Sequence, residues 1–508
     1  MLRTLLLAAV ALPVARAQDV EYIKPEVEGD DRLEVKGRFE SEWLEYNNLD
    51  FRALDETTDQ TILDSDDRNS FAFSGASLQL GYQIDDRTRF NLGIAHRGLW
   101  GNDQIGTINR FGSLVWVSAM NVEWRADDGE NPVVVTAGRQ FFEIGGLPTK
   151  DYVLSDVLDM VRVDVPLGDK GTLTLVPIDV AGMSSSNDGV NFVSFIGQGT
   201  TQTFGFRGDN MTRRFGGRLT LDGLAEGLDL RAYTFYTDVG SLGTGSDISY
   251  NGALGNFADN DWVLNAGLRG AYDAGAVHPW ASFDASTGID RKELVARDAT
   301  TTGFALGAGL VVATGEDDSG LRGELGFFQA TGTAHASGGL MYNHGYVGMK
   351  AQQVGGLLAD RFFGWHPTSY IGMFGISDNP QDKSRKSGTR FAQLSAGYEV
   401  SEGTEFGVDY WFLQDTGSTL IEDLDTIDPP YGYSREAFAA QTRLGQVLGH
   451  EIDLRARYAV SDHIRVHAAG GVLLPGSFYA QEIARVAGNQ LGGQEMAWAF
   501  SGGTRVEF

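Results

Sequence analysis

The chain has 508 residues, no cysteine, a formal charge of −28 and a pI near 4.6. That acidity argues against a nucleic-acid partner, and the missing cysteines rule out a disulfide framework. A hydrophobic content of 42%, with 67 Gly and 29 Phe, excludes disorder and favours β structure.

Residues 1–17 have the layout of a secretory signal: Arg3, an apolar run from Leu5 to Val14, then Ala15-Arg16-Ala17 before Gln18. The run is too short to cross a bilayer as a helix, and no later stretch offers about twenty apolar residues in a row. Residues 18–32 are acidic and read as a periplasmic N-terminal lead-in. From Leu33 to Trp43 the pattern has a period of two. Leu33, Val35, Gly37, Phe39 and Trp43 share one face with Ser41, and Glu34, Lys36, Arg38, Glu40 and Glu42 share the other. Lipid on one side and a water-filled lumen on the other produce this pattern.

The alternation recurs along the chain. A loop over 48–69 leads to a hairpin with Ala76, Leu78, Leu80, Tyr82 and Ile84 outward, a turn at Asp85–Arg87, then Phe90, Leu92 and Ile94 outward. Leu114, Trp116, Met120, Val122 and Trp124 continue the apolar face, opposite Asn121, Glu123 and Arg125. Later segments alternate in the same way, among them Phe406 to Phe412 and Ile452 to Tyr458. Short turns such as Glu402-Gly403 and Ser461-Asp462 interleave with long polar stretches over 182–203, 238–260, 376–389 and 414–434. That asymmetry belongs to outer-membrane barrels, and the length allows about 16–20 strands. Closing the sheet also removes the edges that a sheet of this size would expose. The last strand puts Met496, Trp498, Phe500, Val506 and Phe508 on one face and ends on an aromatic residue. The expected architecture is therefore all-β: a signal peptide over 1–17, the lead-in over 18–32, and a single transmembrane antiparallel β-barrel over 33–508 in the bacterial outer membrane.

Arginine outnumbers lysine 32 to 8. The polar faces carry Arg38, Arg89, Arg97, Arg125, Arg139, Arg214, Arg218, Arg231, Arg269, Arg322, Arg455, Arg457 and Arg465, with Arg139 and Arg218 dependent on local register. Two readings stand. The arginines pair with lumen carboxylates such as Glu40, Glu324, Glu451 and Asp453 and simply hold the wall, or they form an anion-selective stripe. The second reading makes the chain a porin whose solute meets Arg38, Arg89, Arg97, Arg125, Arg139, Arg231, Arg455, Arg457, Glu451 and Asp453 along the lumen. A structural or adhesive barrel with a plugged lumen is the alternative.

Gly138-Arg139-Gln140 at a strand end, Gly449-His-Glu451-Ile-Asp453-Leu454 opening another, Leu473-Leu474-Pro475-Gly476 after the next, and Phe362–Pro367 running to Gly372-Met373 form an ordered set. With the strand texture and Phe508, this set resembles the alginate export family of outer-membrane porins. The resemblance implies an eighteen-stranded monomeric barrel whose Arg-rich constriction passes a polyuronate such as alginate or another anionic solute, with Arg139, Arg455 and Asp453 as the positions carried over. Implied partners are outer-membrane lipid and lipopolysaccharide, the barrel assembly machinery, the anionic solute or polysaccharide, and a periplasmic secretion partner. The eight histidines are scattered and no Gly-x-Ser-x-Gly elbow occurs, so no enzyme is expected. No EF-hand spacing occurs, so neither metal nor cofactor is expected.

Overall fold

The computed structural model describes residues 32–48, 68–99, 113–129, 131–148, 151–181, 212–239, 261–290, 299–314, 320–332, 342–343, 345–346, 348–349, 354–359, 388–401, 403–416, 447–477 and 495–508. The signal segment, the lead-in up to residue 31 and the Phe362–Met373 motif lie outside them.

The strands are β1 (Leu33–Asn47), β2 (Arg68–Gln83), β3 (Thr88–Leu99), β4 (Ser113–Arg125), β5 (Val134–Glu143), β6 (Ser155–Pro166), β7 (Thr172–Ala181), β8 (Thr212–Leu221) and β9 (Leu228–Val239). They continue as β10 (Asp261–Tyr272), β11 (Val277–Asp290), β12 (Ala299–Ala313), β13 (Leu321–Ala330), β14 (Tyr342–Asn343), β15 (Thr389–Ser401), β16 (Thr404–Asp415), β17 (Val447–Ser461), β18 (Ile464–Pro475) and β19 (Ala497–Glu507). β14 is a two-residue parallel addition to Thr300 and Thr301 of β12. The other eighteen strands pair antiparallel with their neighbours in chain order, and β1 closes the ring by pairing with both β2 and β19. The result is a closed eighteen-stranded barrel, within the 16–20 strands that the length allows and with the count that the family resemblance implies.

Closure is sealed by the last residue. Gly37 N donates to Phe508 O at 2.7 Å and Phe508 N to Gly37 O at 2.9 Å. The Phe508 ring lies over Gly37, where a Cβ would collide with it. On the outer face of the same seam, Trp43 and Phe500 meet edge to face at 5.8 Å.

The end that carries Leu33 and Phe508 has the tight connections, such as 84–87, 167–171, 273–276 and 462–463. The other end has long ones, such as 182–211, 331–388 and 416–446. The short-turn end of an outer-membrane barrel faces the periplasm. There Arg87 reaches from the β2–β3 turn to grip Asp128 of the β4–β5 turn through two bonds of 2.8 Å. This fork holds the Asp128 carboxyl below its usual range.

The outer face is an apolar girdle that includes Phe39, Leu78, Met120, Phe215, Leu268, Phe327, Leu394 and Leu454. Alternation is sharp where it can be read. Leu454 is 64% exposed, whereas its neighbour Asp453 is 2% exposed. Two expected phases fail, that of β5 around Arg139 and that of β4. The β3–β4 register shifts after Gly93, so that Ile94 pairs with Val117 and an extra residue, Ser118, is inserted. Val117 therefore takes the outward position, and Leu114 and Trp116 fall in the opposite register from the one expected.

Candidate functional site: the barrel lumen

The inward faces differ between the two ends of the barrel. Toward the short turns they are charged. Arg38 bonds Glu40 at 2.5 Å, and Arg505 lies 3.9 Å from Glu40 and 3.8 Å from Glu507. Arg455 binds Asp409 and lies 3.7 Å from Glu405, which also takes Arg457 at 3.3 Å. Arg89 and Lys36 share Glu34. Arg465 stands directly opposite Arg505 in the β18–β19 register. It is exposed and has no ion-pair partner among the described residues.

Toward the long loops the inward faces are mainly apolar: Leu44, Tyr46, Phe142, Phe235, Phe328, Phe391, Trp411, Leu413 and Leu473 are all buried, with a few buried charges such as Arg214, Glu451 and Asp453 among them. They pack around two segments that leave the wall and enter the barrel. The first is the β5–β6 connection, with Ile144, Tyr152, Val153 and Leu154 in the same cluster. It turns at Gly145 (φ 63°) and Gly146 (φ 82°), left-handed positions that a side chain rarely tolerates. Asp151 folds it by accepting from Gly145 N at 2.9 Å, Val153 N at 2.9 Å and Leu154 N at 3.3 Å.

Arginines of β8–β10, the neighbouring stretch of wall, hold this segment. Arg218 donates to Glu143 O and Ile144 O at 2.7 and 3.1 Å, Arg231 to Ile144 O at 3.0 Å, and Arg269 to Gly145 O at 3.3 Å. Arg269 also pairs with Asp151 at 2.9 Å, both side chains being almost wholly buried, and lies 3.6 Å from Asp284. Tyr233 completes the set by donating to Asp284 at 2.5 Å. The second segment includes Tyr346, Met349 and Val354–Ala359. It touches the first where Met349 N donates to Val153 O at 3.2 Å, and it is pinned to β17 through Glu451 and Asp453.

Of the residues expected in the lumen, Arg38, Arg89, Arg125, Arg231, Arg455, Arg457, Glu451 and Asp453 face inward. Arg125 pairs with Glu123 at 3.4 Å, near the short turns. Arg231, Glu451 and Asp453 hold inward segments and do not line open water. Arg97 sits opposite Gly75 and Leu114, and its side chain lies outside the described residues.

Arg139 is on the other face. Its register partner Met120 is 54% exposed, and the next inward position, Gln140, is buried. The run from Val133 to Phe142 has no alternation to fix its phase, and Gly138-Arg139-Gln140 lies in mid-strand, not at a strand end. Outside the barrel Arg139 grips Asp159 through bonds of 2.9 and 2.6 Å and takes Val117 O at 3.2 Å. An unpaired arginine on a lipid face costs about 2–4 kcal/mol at the midplane. The carboxylate fork neutralises that charge. Sequence reasoning left out Arg505, although it stands on the polar face of the closing strand, and it left out the buried set around Arg269.

No protein-family model matches the sequence, and no curated protein matches it. Among solved structures, Pseudomonas aeruginosa OccK9 (OpdG) superposes with a TM-score of 0.50 at 10% identity, covering 94% of this chain and 98% of that one. The fold is that of outer-membrane porins. P. aeruginosa OccK8 (OprE) and the P. aeruginosa outer membrane protein OpdK give TM-scores of 0.48 and 0.47, each at 10% identity. They cover 94% and 93% of this chain and 98% of each partner. At such identity the likeness is one of fold. The porin fold and its apolar girdle place the chain in the bacterial outer membrane. The likeness does not single out the alginate export family.

Proposed function

We propose that this protein is an outer-membrane channel for anionic solutes, entered or left through the charged half of the lumen. The observation that supports it is the arginine patch on neighbouring strands: Arg38, Arg455, Arg457, Arg465 and Arg505, with Arg465 directly opposite Arg505. Like charges placed directly across a ladder destabilise it. Arg231 and Arg269 also face each other across the β9–β10 ladder, but Asp229, Asp151 and the first inward segment neutralise and occupy them, whereas Arg465 has no ion-pair partner among the described residues. Guanidinium forks in a narrow polar space attract anions by field and by paired hydrogen bonds, and partial neutralisation by Glu40, Glu405, Asp409 and Glu507 keeps binding weak enough for release. Passage then needs positioning and exit but no chemistry. Among the described residues, the packed long-loop half favours small anions over a polymer such as alginate. The same packing favours a second reading, a structural barrel with a plugged lumen.

Reversal potentials of the purified protein in planar bilayers, under a salt gradient, test both. Anion preference supports the channel. Preference for cations would show that the carboxylates outweigh the patch, and absence of conductance would favour the plugged barrel.

A further inference from the structure

Glu451 and Asp453 face the lumen two residues apart on β17 and are buried, at 0% and 2% exposure. Among the described residues neither meets a cation. Their partners are consecutive backbone amides of the second inward segment. Gly356 N and Ala359 N donate to Glu451 Oε2 at 3.0 and 3.2 Å, and Leu358 N donates to its Oε1 at 2.5 Å. Leu357 N donates to Asp453 Oδ2 at 3.2 Å. The fit is close: a Cβ at Gly356 or at Gly471 would collide with the Asp453 carboxylate.

Across the ladders, Glu451 faces Trp411 and Leu473, and Asp453 faces Asp409 and Gly471. Asp409 is the one charged group among them, and Arg455 holds it. The segment Val354–Ala359 carries no charged side chain. It is therefore fixed in the barrel by an acidic pair that no cation balances among the described residues.

We propose that Val354–Ala359 is a latch across the lumen that acid releases by protonating this pair. An amide donates more strongly to a carboxylate than to a neutral acid, and in the neutral acid one oxygen becomes a donor facing the N–H groups. Two buried carboxylates on one strand also repel each other. The first proton relieves that repulsion and leaves one charge on the amides, so the latch holds. The second proton removes the charge, and the segment is freed. Under the channel reading, on which the second readout below rests, acid then widens the long-loop half of the passage.

Hydrogen exchange of the amides of residues 356–359 tests the latch in the folded barrel, corrected for the intrinsic pH dependence and referred to β17 amides. Their protection should fall by about tenfold or more between neutral and acid pH and return on neutralisation. E451Q/D453N should show the acid level of protection at neutral pH. D453N alone keeps one charge and should stay latched. Constant protection in the wild type across pH overturns the proposal, as does full protection in the double variant. If the double variant does not fold, the wild-type titration and D453N still decide. Conductance separates the two readings. Amide release without a rise in conductance keeps the latch and rejects the channel, whereas a rise without amide release rejects the latch.

Discussion

Two parts of the lumen wall use arginine in opposite ways. On the β8–β10 wall, Arg218, Arg231 and Arg269 are committed to carbonyls and carboxylates of the first inward segment. At the short-turn end of β17–β19 and β1, Arg457, paired with Glu405, and Arg465, with no ion-pair partner among the described residues, stand in reach of water. A guanidinium buried against carbonyls and carboxylates of a packed segment is a fastener, because its field is spent on groups that do not move. One that faces water beside other guanidinium groups has a field left for a mobile anion. Sequence position does not separate the two kinds, since both lie on polar faces of regular strands.

The sharpest way to break this distinction is to remove the fastener. Arg269→Ala leaves Asp151 and Asp284 buried without their counter-charge, which costs about 3–5 kcal/mol. The first inward segment also loses its tie to the wall at Gly145 O. Denaturant unfolding of the refolded barrel should show a loss of that size. A change below about 0.5 kcal/mol would mean that the two carboxylates are satisfied without Arg269, and that the contrast between the two parts of the wall is wrong.

A smaller effect is expected on the outer face. Arg139→Ala orphans Asp159 and frees Val117 O at the lipid surface, for a loss of about 1–3 kcal/mol. R139L/D159L removes both charges and should recover most of that loss. Neither variant should alter ion selectivity, because the pair is outside the barrel. A selectivity change in Arg139→Ala would return this residue to the lumen and overturn the β4–β5 register.

Arg139 also marks the limit of what could be read from sequence. The strand texture, the closing strand and the inward arginines of β1, β3 and β17 were legible because lipid and water impose opposite chemistry on alternate residues. Where both faces are apolar, that signal vanishes. Phe141-Phe142, Trp411-Phe412-Leu413 and Val472-Leu473-Leu474 run together because one side meets lipid and the other meets an inward segment. Such continuous runs were the available clue to a filled upper lumen. The segment near Ile144 had no comparable clue. Its placement depends on Arg218, Arg231 and Arg269, which follow it by more than seventy residues.

The finest test concerns the arginines left to the solute. Arg465→Ala orphans no carboxylate among the described residues and relieves its opposition to Arg505. Stability should therefore stay within about 0.5 kcal/mol. The anion-to-cation permeability ratio should fall nonetheless, further in Arg465→Glu, and Arg457→Ala should act in the same direction. The effect should be clear near 0.1 M salt, where fields reach about 10 Å, and fade near 1 M, where they reach about 3 Å. Arg231→Ala supplies the contrast, because its guanidinium is already held by Asp229 and Ile144 O. If Arg231→Ala shifted selectivity and Arg465→Ala did not, the field that sorts ions would arise from the β8–β10 wall, and the passage would run beside the first inward segment.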